Sequence, residues 1–190
     1  MRRSYTLVSL FAAWIAVGVV FAASAMSTGA HAAVDPLTRG RTLFVQSCSS
    51  CHALSARGVP GRGPSLVGVG AEAADFELST GRMPLASPRD EPLRTTPRFD
   101  PQDIEALVAY VGSLGGPAIP KVDAARGDLA AGFRAFTLDC AGCHQALARG
   151  GTVTGGVAPS LIEATPTQIA EAVRIGPYLM PPFSKHAIDT

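Results

Sequence analysis

Cys-Ser-Ser-Cys-His at residues 48–52 and Cys-Ala-Gly-Cys-His at residues 140–144 decide how this chain of 190 residues is interpreted. Cys-x-x-Cys-His is the motif to which c-type haem is attached. The two thiols form thioethers with the haem vinyl groups, and the adjacent histidine lies under the iron as its proximal ligand. We therefore predict two covalently bound haem c groups. The predicted attachment residues are Cys48, Cys51, Cys140 and Cys143, and the predicted proximal ligands are His52 and His144.

Paired cysteines also occur in other kinds of site. Four cysteines in two pairs can bind zinc, but 88 residues lie between these pairs, far more than the roughly 15–20 of a zinc ribbon. A zinc site also does not require a histidine directly after each pair. A thioredoxin-like redox pair needs a βαβ setting, and no strand pattern surrounds either motif. Zinc, redox pairs and structural disulfides are therefore weaker alternatives to haem attachment.

The sequence around the two motifs repeats itself. The matching residues occur in the same order in both halves, and their offset drifts only from 92 to 97 residues, as small loop insertions would produce. This pattern indicates two copies of one small domain. The matched pairs are Gly40 with Gly132, Phe44 with Phe136, the two motifs themselves, Pro64 with Pro159, and Met83 with Met180.

The repeat divides the chain into four segments. Residues 1–33 read as a signal or N-terminal membrane segment, 34–116 as cytochrome c domain 1, 117–122 as a linker and 123–190 as cytochrome c domain 2. The predicted fold is all-α, with tandem class I cytochrome c domains. Only ten residues follow Met180, too few for a last helix like the one predicted in domain 1. We expect either that the chain is a fragment, which we favour, or that another subunit completes domain 2.

Helix boundaries carry clear local signals. Asp35-Pro36 and Asp100-Pro101 each combine an N-cap with proline at the first helical position, and Thr165 to Gln168 form a capping box. A short helix is expected near 72–80 and a Gly-rich loop at 150–156. Gly40 and Gly132 predict close helix crossings, with Tyr110 as the partner in domain 1.

The N-terminus predicts export. Arg2 and Arg3 precede an uncharged apolar run over 5–26, and Ala30-His31-Ala32 fits a cleavage site. The run is also long enough to span a bilayer, so a cleaved signal and a retained anchor both remain open. Either way, the domains lie outside the cytoplasm. A net charge of +1 implies no binding of nucleic acid or another bulk polyanion.

The sixth iron ligand is expected to be methionine, because a Met–His pair is typical of electron-transferring cytochromes c. Met83 and Met180 each follow a predicted helix and precede proline. Pro64 and Pro159 are predicted to accept a hydrogen bond from the proximal histidines, which would fix their tautomers. His31 and His186 are not assigned to iron. Three arginines are predicted near the edge of haem 1, where propionate pairing, a solvated face and a partner surface all remain open: Arg57, Arg62 and Arg82.

The stretches between the motifs resemble a known family. In the first half these are Gly-Val-Pro-Gly-Arg-Gly-Pro-Ser-Leu-Val-Gly-Val-Gly (58–70) and Ser-Thr-Gly-Arg-Met-Pro-Leu (79–85). In the second they are Ala-Thr-Pro-Thr-Gln-Ile (164–169) and Gly-Pro-Tyr-Leu-Met-Pro-Pro-Phe (176–183). Together they resemble the dihaem cytochrome c subunit of the actinobacterial cytochrome bcc (bc1-type) complex over about residues 34–184.

The resemblance implies an electron-transferring subunit of a quinol:cytochrome c reductase in the cell membrane. Its expected partners are the cytochrome b and Rieske iron–sulfur subunits and a cytochrome c oxidase, and its expected role is to relay electrons from the Rieske protein to the oxidase. The family's axial pairs carry over as His52 with Met83 and His144 with Met180. The family also has a closing helix in domain 2 and a C-terminal anchor, which this sequence does not show.

Two other functions remain as alternatives. One is a free-standing dihaem carrier or the dihaem subunit of a dehydrogenase. The other is a dihaem peroxidase, which needs an iron with an open or displaceable axial position; a methionine candidate in each domain argues against it.

Overall fold

Helices begin where the local sequence signals place them. The computed structural model describes residues 35–188, beginning with α1 (Pro36–Ser47), where the Thr38 amide donates to the Asp35 carboxylate across 3.0 Å. An aspartate N-cap also begins α4 (Pro101–Gly112), where the Asp103 amide donates to the Asp100 carboxylate across 2.9 Å. Between them lie the short α2 (Ser49–His52), which carries the first motif, and α3 (Gly70–Ser79).

The first repeat is organised around α4, which packs against both α1 and α3. Phe44 and Leu107 are fully buried at the centre of this core, and the Phe44 and Tyr110 ring centroids are 5.1 Å apart. A Cβ on Gly40 would collide with the Ala106 carbonyl and come 2.9 Å from Tyr110 Cβ. The predicted close crossing at Gly40 is therefore confirmed, and only glycine fits there.

The second repeat has shorter elements. A 3-10 turn (Ala124–Arg126) precedes α5 (Leu129–Ala135), which passes through a π-helical segment (Phe136–Cys140) into α6 (Ala141–His144), the second motif. The last helix is α7 (Pro166–Ile175), whose predicted capping box is present with both hydrogen bonds. It ends at Gly176, which has a left-handed φ of 62°. Contacts between α3 and α7 join the two repeats.

A small sheet departs from the all-α prediction. β1 (Gly151–Val153) and β2 (Gly156–Ala158) pair antiparallel, with Gly151 opposite Ala158. This hairpin occupies the stretch predicted as a Gly-rich loop. Strands of three residues flanked by glycines show too little alternation of polar and apolar residues to be recognised from sequence. The described residues are thus mostly helical rather than purely helical.

The close crossing predicted at Gly132 is not present in the structure. No heavy atom lies within 4 Å of a Cβ placed on Gly132, and its neighbours Leu129 and Phe133 are 91% and 70% exposed. The physical reason is that no helix equivalent to α4 packs on α5 within residues 35–188; after α7 this part of the chain forms turns and irregular structure.

The predicted signal or membrane segment, with His31, lies outside the described residues. Within residues 35–188 no helix has the length and apolar character that a bilayer crossing requires.

Candidate haem-binding sites

The first motif places its histidine next to a backbone carbonyl. His52, at the end of α2, lies with Nδ1 2.8 Å from the carbonyl oxygen of Pro64. A carbonyl oxygen can only accept, so Nδ1 carries the proton and donates. The Nε2 lone pair is then left for a metal, which is the tautomer that an iron-ligating histidine needs.

The second motif has the same arrangement. His144 Nδ1 lies 3.0 Å from the carbonyl oxygen of Pro159. Its side chain is only 8% exposed, so the imidazole is held inside the protein with Nε2 as its free nitrogen. Each motif therefore presents an oriented histidine, and each histidine is held by the proline of its own repeat.

The loop after each motif has the same backbone path in both repeats. The amides of Gly58 and Gly150 donate to the carbonyls of His52 and His144 across 2.9 and 3.0 Å. The chain enters the left-handed region at three equivalent positions in each loop. These pairs are Ala53 with Gln145 (φ 61° and 62°), Ala56 with Ala148 (57° and 56°), and Gly58 with Gly150 (84° and 73°).

Gly58 and Gly150 are site residues that the sequence interpretation missed. A Cβ on Gly58 would lie 2.7 Å from the carbonyl carbon of Pro64, and one on Gly150 would lie 2.6 Å from that of Pro159. Because glycine alone allows both the positive φ and this approach, these two residues let the proline carbonyl reach the histidine. A signal for them existed, since both glycines follow their motif at the same distance.

Two other predicted groups of the first site lie on its hydrophobic core. Cys48 and Met83 both pack against the buried cluster that contains Phe44 and Leu78. Burial, reinforced by the neighbouring Cys51, raises the pKa of the Cys48 thiol to about 11. The structure thus brings one attachment cysteine and the candidate methionine ligand to the same apolar surface.

The second site is a single cavity of about 620 Å³. Its lining includes Cys140, Cys143, His144, Pro159 and Met180, which are all five residues predicted for the second haem. The volume lies within the roughly 300–1,000 Å³ of small-molecule and cofactor sites. Two thiols, an imidazole and a thioether in an apolar cavity are the donors that covalent haem binding requires, so these residues fit the group.

The environment of Cys140 is similar to that of Cys48. Burial raises the pKa of the Cys140 thiol, and the negative charges of Asp139 and Cys143 add to the effect. A zinc site made from both cysteine pairs would need at least three ligands around one point. No group of three or more His, Cys, Asp or Glu side chains comes together in this way within residues 35–188.

The three arginines predicted near haem 1 differ in their burial and in the site they lie beside. Arg57 and Arg62 are exposed, and Arg62 Nη1 reaches the Ser50 carbonyl at 3.4 Å. Arg82 is buried and lines the cavity of the second site. His186 is exposed and lies outside both sites.

Comparison with known proteins identifies the family. Residues 37–115 match the family model described as Cytochrome c, and residues 127–190 match that of Cytochrome C oxidase, cbb3-type, subunit III. A relative from Corynebacterium diphtheriae, named Cytochrome bc1 complex cytochrome c subunit, is 34% identical over 201 residues, or 96% of this chain and 72% of the relative. The chain belongs to this family of cytochrome c subunits.

Other members of the family have a higher sequence identity over a shorter alignment. Proteins of the same name from Mycobacterium bovis and Mycobacterium leprae are 40% and 39% identical over 163 residues. These matches cover 80% of this chain but only 58% and 56% of the relatives. The chain therefore spans little more than half the length of these members. The two family models show that it contains two cytochrome c domains.

Proposed function

We propose that the chain binds two haem c groups and transfers electrons as the dihaem subunit of a quinol:cytochrome c reductase. The observation that carries this proposal is the duplicated histidine geometry, in which Nδ1 of His52 and of His144 each meets the carbonyl of the matching proline. Structural duplication of that kind is expected of two sites with the same task. Membership of the bc1 subunit family supports the assignment to a reductase.

Each repeat supplies one complete set of groups for a haem. Cys48 and Cys51 hold the first haem and Cys140 and Cys143 the second, as tandem class I cytochrome c domains would. His52 with Met83 would hold the iron of the first haem, and His144 with Met180 would hold that of the second. Pro64 and Pro159 fix the histidine tautomers through their carbonyls.

The bound haem supplies one-electron exchange at its iron. The residues of this chain hold that group, orient the imidazole and keep water from the buried side. In the second site, the mainly apolar lining of the cavity excludes water. With a histidine and a methionine holding each iron, no place would remain for a substrate, and the role of the chain would be electron transfer alone.

The proposed path of electrons runs from the Rieske iron–sulfur protein through the two haems to a cytochrome c oxidase. Cytochrome b is the other expected neighbour. The haem domains lie on the extracytoplasmic side of the cell membrane, where thioether attachment takes place. This location follows from the basic and apolar N-terminal sequence and from the proposed complex.

The test combines haem stoichiometry with membrane retention. The purified holoprotein should carry two haems per chain, and one haem should remain after Cys140→Ser with Cys143→Ser. Membranes washed in high salt should retain the protein, which should copurify with cytochrome b and the Rieske subunit. Quinol should reduce both haems in that preparation. Release into the wash with both haems intact would instead identify the free-standing carrier.

A further inference from the structure

The cavity of the second site is not built from the second repeat alone. Phe76 and Thr80, at the end of α3, line it together with Arg82. Leu93 and Arg94, from the loop that follows, complete this wall. All five residues belong to the first repeat. One side of the candidate site for the second haem is therefore supplied by the neighbouring domain.

Arg82 is the most unusual residue of this wall, because it is a charged side chain that is only 7% exposed. Its Nη1 donates to the Pro92 carbonyl across 2.6 Å, and its guanidinium carbon lies 5.2 Å from the centre of the Phe76 ring. Its Nε is buried and has no hydrogen-bond partner in the described part of the chain. The side chain is thus held in a fixed place with part of its donor capacity unused.

The charges around the cavity are unbalanced. Its charged lining residues are Arg82, Arg94 and Asp139, and neither arginine forms an ion pair with a carboxylate within residues 35–188. The charges that act on Arg82 are those of the Glu77 carboxylate and the Arg94 guanidinium. Buried charges in proteins are normally paired. Of the two cavity arginines Arg82 is buried, whereas Arg94 is exposed and adds a second positive charge. Together they indicate an anionic group of the cavity's occupant.

We propose that Arg82 and Arg94 bind the propionate carboxylates of the haem attached at Cys140 and Cys143. This inference rests on the proposed function, since it requires a haem in the second site. A haem carries two propionates, and the wall offers two guanidiniums. The planar fork of guanidinium donors matches the geometry of a carboxylate. The sequence interpretation placed Arg82 with the first haem; the packing of α3 against α7 brings it to the second.

The assignment has a consequence for electron transfer between the repeats. Arg82 directly precedes Met83, the proposed axial ligand of the first iron. Two consecutive residues would therefore contact different haems. The methionine would ligate the iron of the first haem, and the arginine would balance the charge of a propionate of the second. Positive charge near a haem favours the reduced state, because reduction adds an electron. Arg82 and Arg94 would thus keep the second haem at a higher potential than its own repeat alone could.

The experiment measures the potentials of both haems in the holoprotein by optical redox titration at several pH values. Arg94→Gln is the principal variant, because Arg94 is exposed and its loss should leave folding intact. In Arg94→Gln we expect the equilibrium constant for reduction of one haem to fall about tenfold. This corresponds to a potential lower by about 59 mV for a one-electron couple. That potential should also become pH-dependent near neutrality, because an unpaired propionate binds a proton more readily. Arg82→Gln should act in the same direction, and Arg82→Lys should restore most of the loss.

Two controls identify the haem and the cause. Arg98→Gln removes an exposed charge from the same loop that does not line the cavity, and it should leave both potentials within about a twofold change in equilibrium constant. In Cys140→Ser with Cys143→Ser, which keeps only the first haem, Arg94→Gln and Arg82→Gln should not shift the remaining potential. A shift that persists there, or one no larger than that of Arg98→Gln, overturns the proposal. A wild-type stoichiometry of one haem per chain would instead refute the proposed function as well.

Discussion

Gln168 of α7 donates a hydrogen bond from its Nε2 to the Ser79 hydroxyl of α3 across 3.3 Å, and so links the second repeat to the first. The same amide completes the capping box at the start of α7, where its Oε1 accepts from the Thr165 amide. The beginning of α7 is therefore fixed against α3. Because α3 leads directly to Arg82, this contact helps to place the part of the first repeat that lines the second candidate site.

The contact between α3 and α7 also buries a carboxyl group that forms no ion pair within residues 35–188. Glu171, one turn after Gln168, is fully buried, and neither of its oxygens has a hydrogen-bond partner in the described structure. Burial raises its pKa to about 9, and the charge and side-chain contact of Asp75, followed by the charge of Glu72, add to the shift. Two neighbouring carboxylates repel each other, so burial beside Asp75 favours the protonated form of Glu171.

Glu171→Gln should therefore stabilise the holoprotein, and more so at alkaline pH. In the folded state the group keeps its proton until about pH 9, whereas in the unfolded chain it ionises near 4.5. The free energy of unfolding thus falls as pH rises from 4.5 to 9. Glutamine keeps the neutral form, so its advantage in urea unfolding should grow from near zero at pH 5 to about 1–3 kcal/mol at pH 8.

Glu163→Gln is the matched control, because Glu163 is exposed in the same repeat. It should leave the pH dependence of unfolding unchanged. A Glu171→Gln variant that is equally or less stable than wild type at pH 8 would show that the carboxylate is paired in solution.

The repeat also supplies a matched pair of glycines with opposite expected effects. Gly40→Ala places a Cβ against the Ala106 carbonyl and Tyr110, and such overpacking costs about 1–3 kcal/mol. Gly132→Ala meets no atom within 4 Å, and alanine in a helix is favoured over glycine by up to about 1 kcal/mol. Urea unfolding should therefore show a loss for the first and no loss for the second. A comparable loss in both would mean that the Gly132 face of α5 is covered in the protein.

The sequence predicted those parts of the fold whose causes are local. Asp35, Asp100 and Thr165 were recognised as helix caps because each acts on an amide three residues away. The hairpin at 151–158 was not predicted, because its short strands depend on pairing rather than on pattern. The place of Arg82 beside the cavity of the second site could not be predicted, since it follows from the contact between α3 and α7, which are about 90 residues apart in the chain.

Gly150 should be essential to the second histidine, whereas a neighbouring glycine with the same backbone constraint should not. Gly150→Ala combines a left-handed φ of 73° with a contact of 2.6 Å to the Pro159 carbonyl carbon, so it must displace the acceptor of His144. Gly155→Ala has a φ of 83° and only Leu179 within 4 Å, at 3.7 Å, and should cost about 1–2 kcal/mol in stability alone.

The two glycine variants are compared by their haem content per chain and by the potentials of their haems. We expect Gly150→Ala to reduce haem incorporation well below two per chain, or to raise the potential of one haem, because the imidazole loses the hydrogen bond that increases its basicity and so favours ferric iron. Gly155→Ala should retain two haems with wild-type potentials. Equal haem content and potentials in both variants would show that the proline carbonyl does not control the histidine.

The two methionines provide the most direct test of the axial ligands. Met83→Ala and Met180→Ala should each remove the far-red absorbance band of Met-ligated ferric haem from one haem only, so that about half of the band remains in either single variant and none in the double variant. Met83→His and Met180→His should keep six-coordinate iron but lower one potential, because replacing the thioether by imidazole favours the ferric state. Cyanide should bind to one haem of each alanine variant and to neither haem of the wild type. If one alanine variant keeps the full band, that methionine belongs to the apolar core rather than to the iron, and the corresponding haem has another sixth ligand.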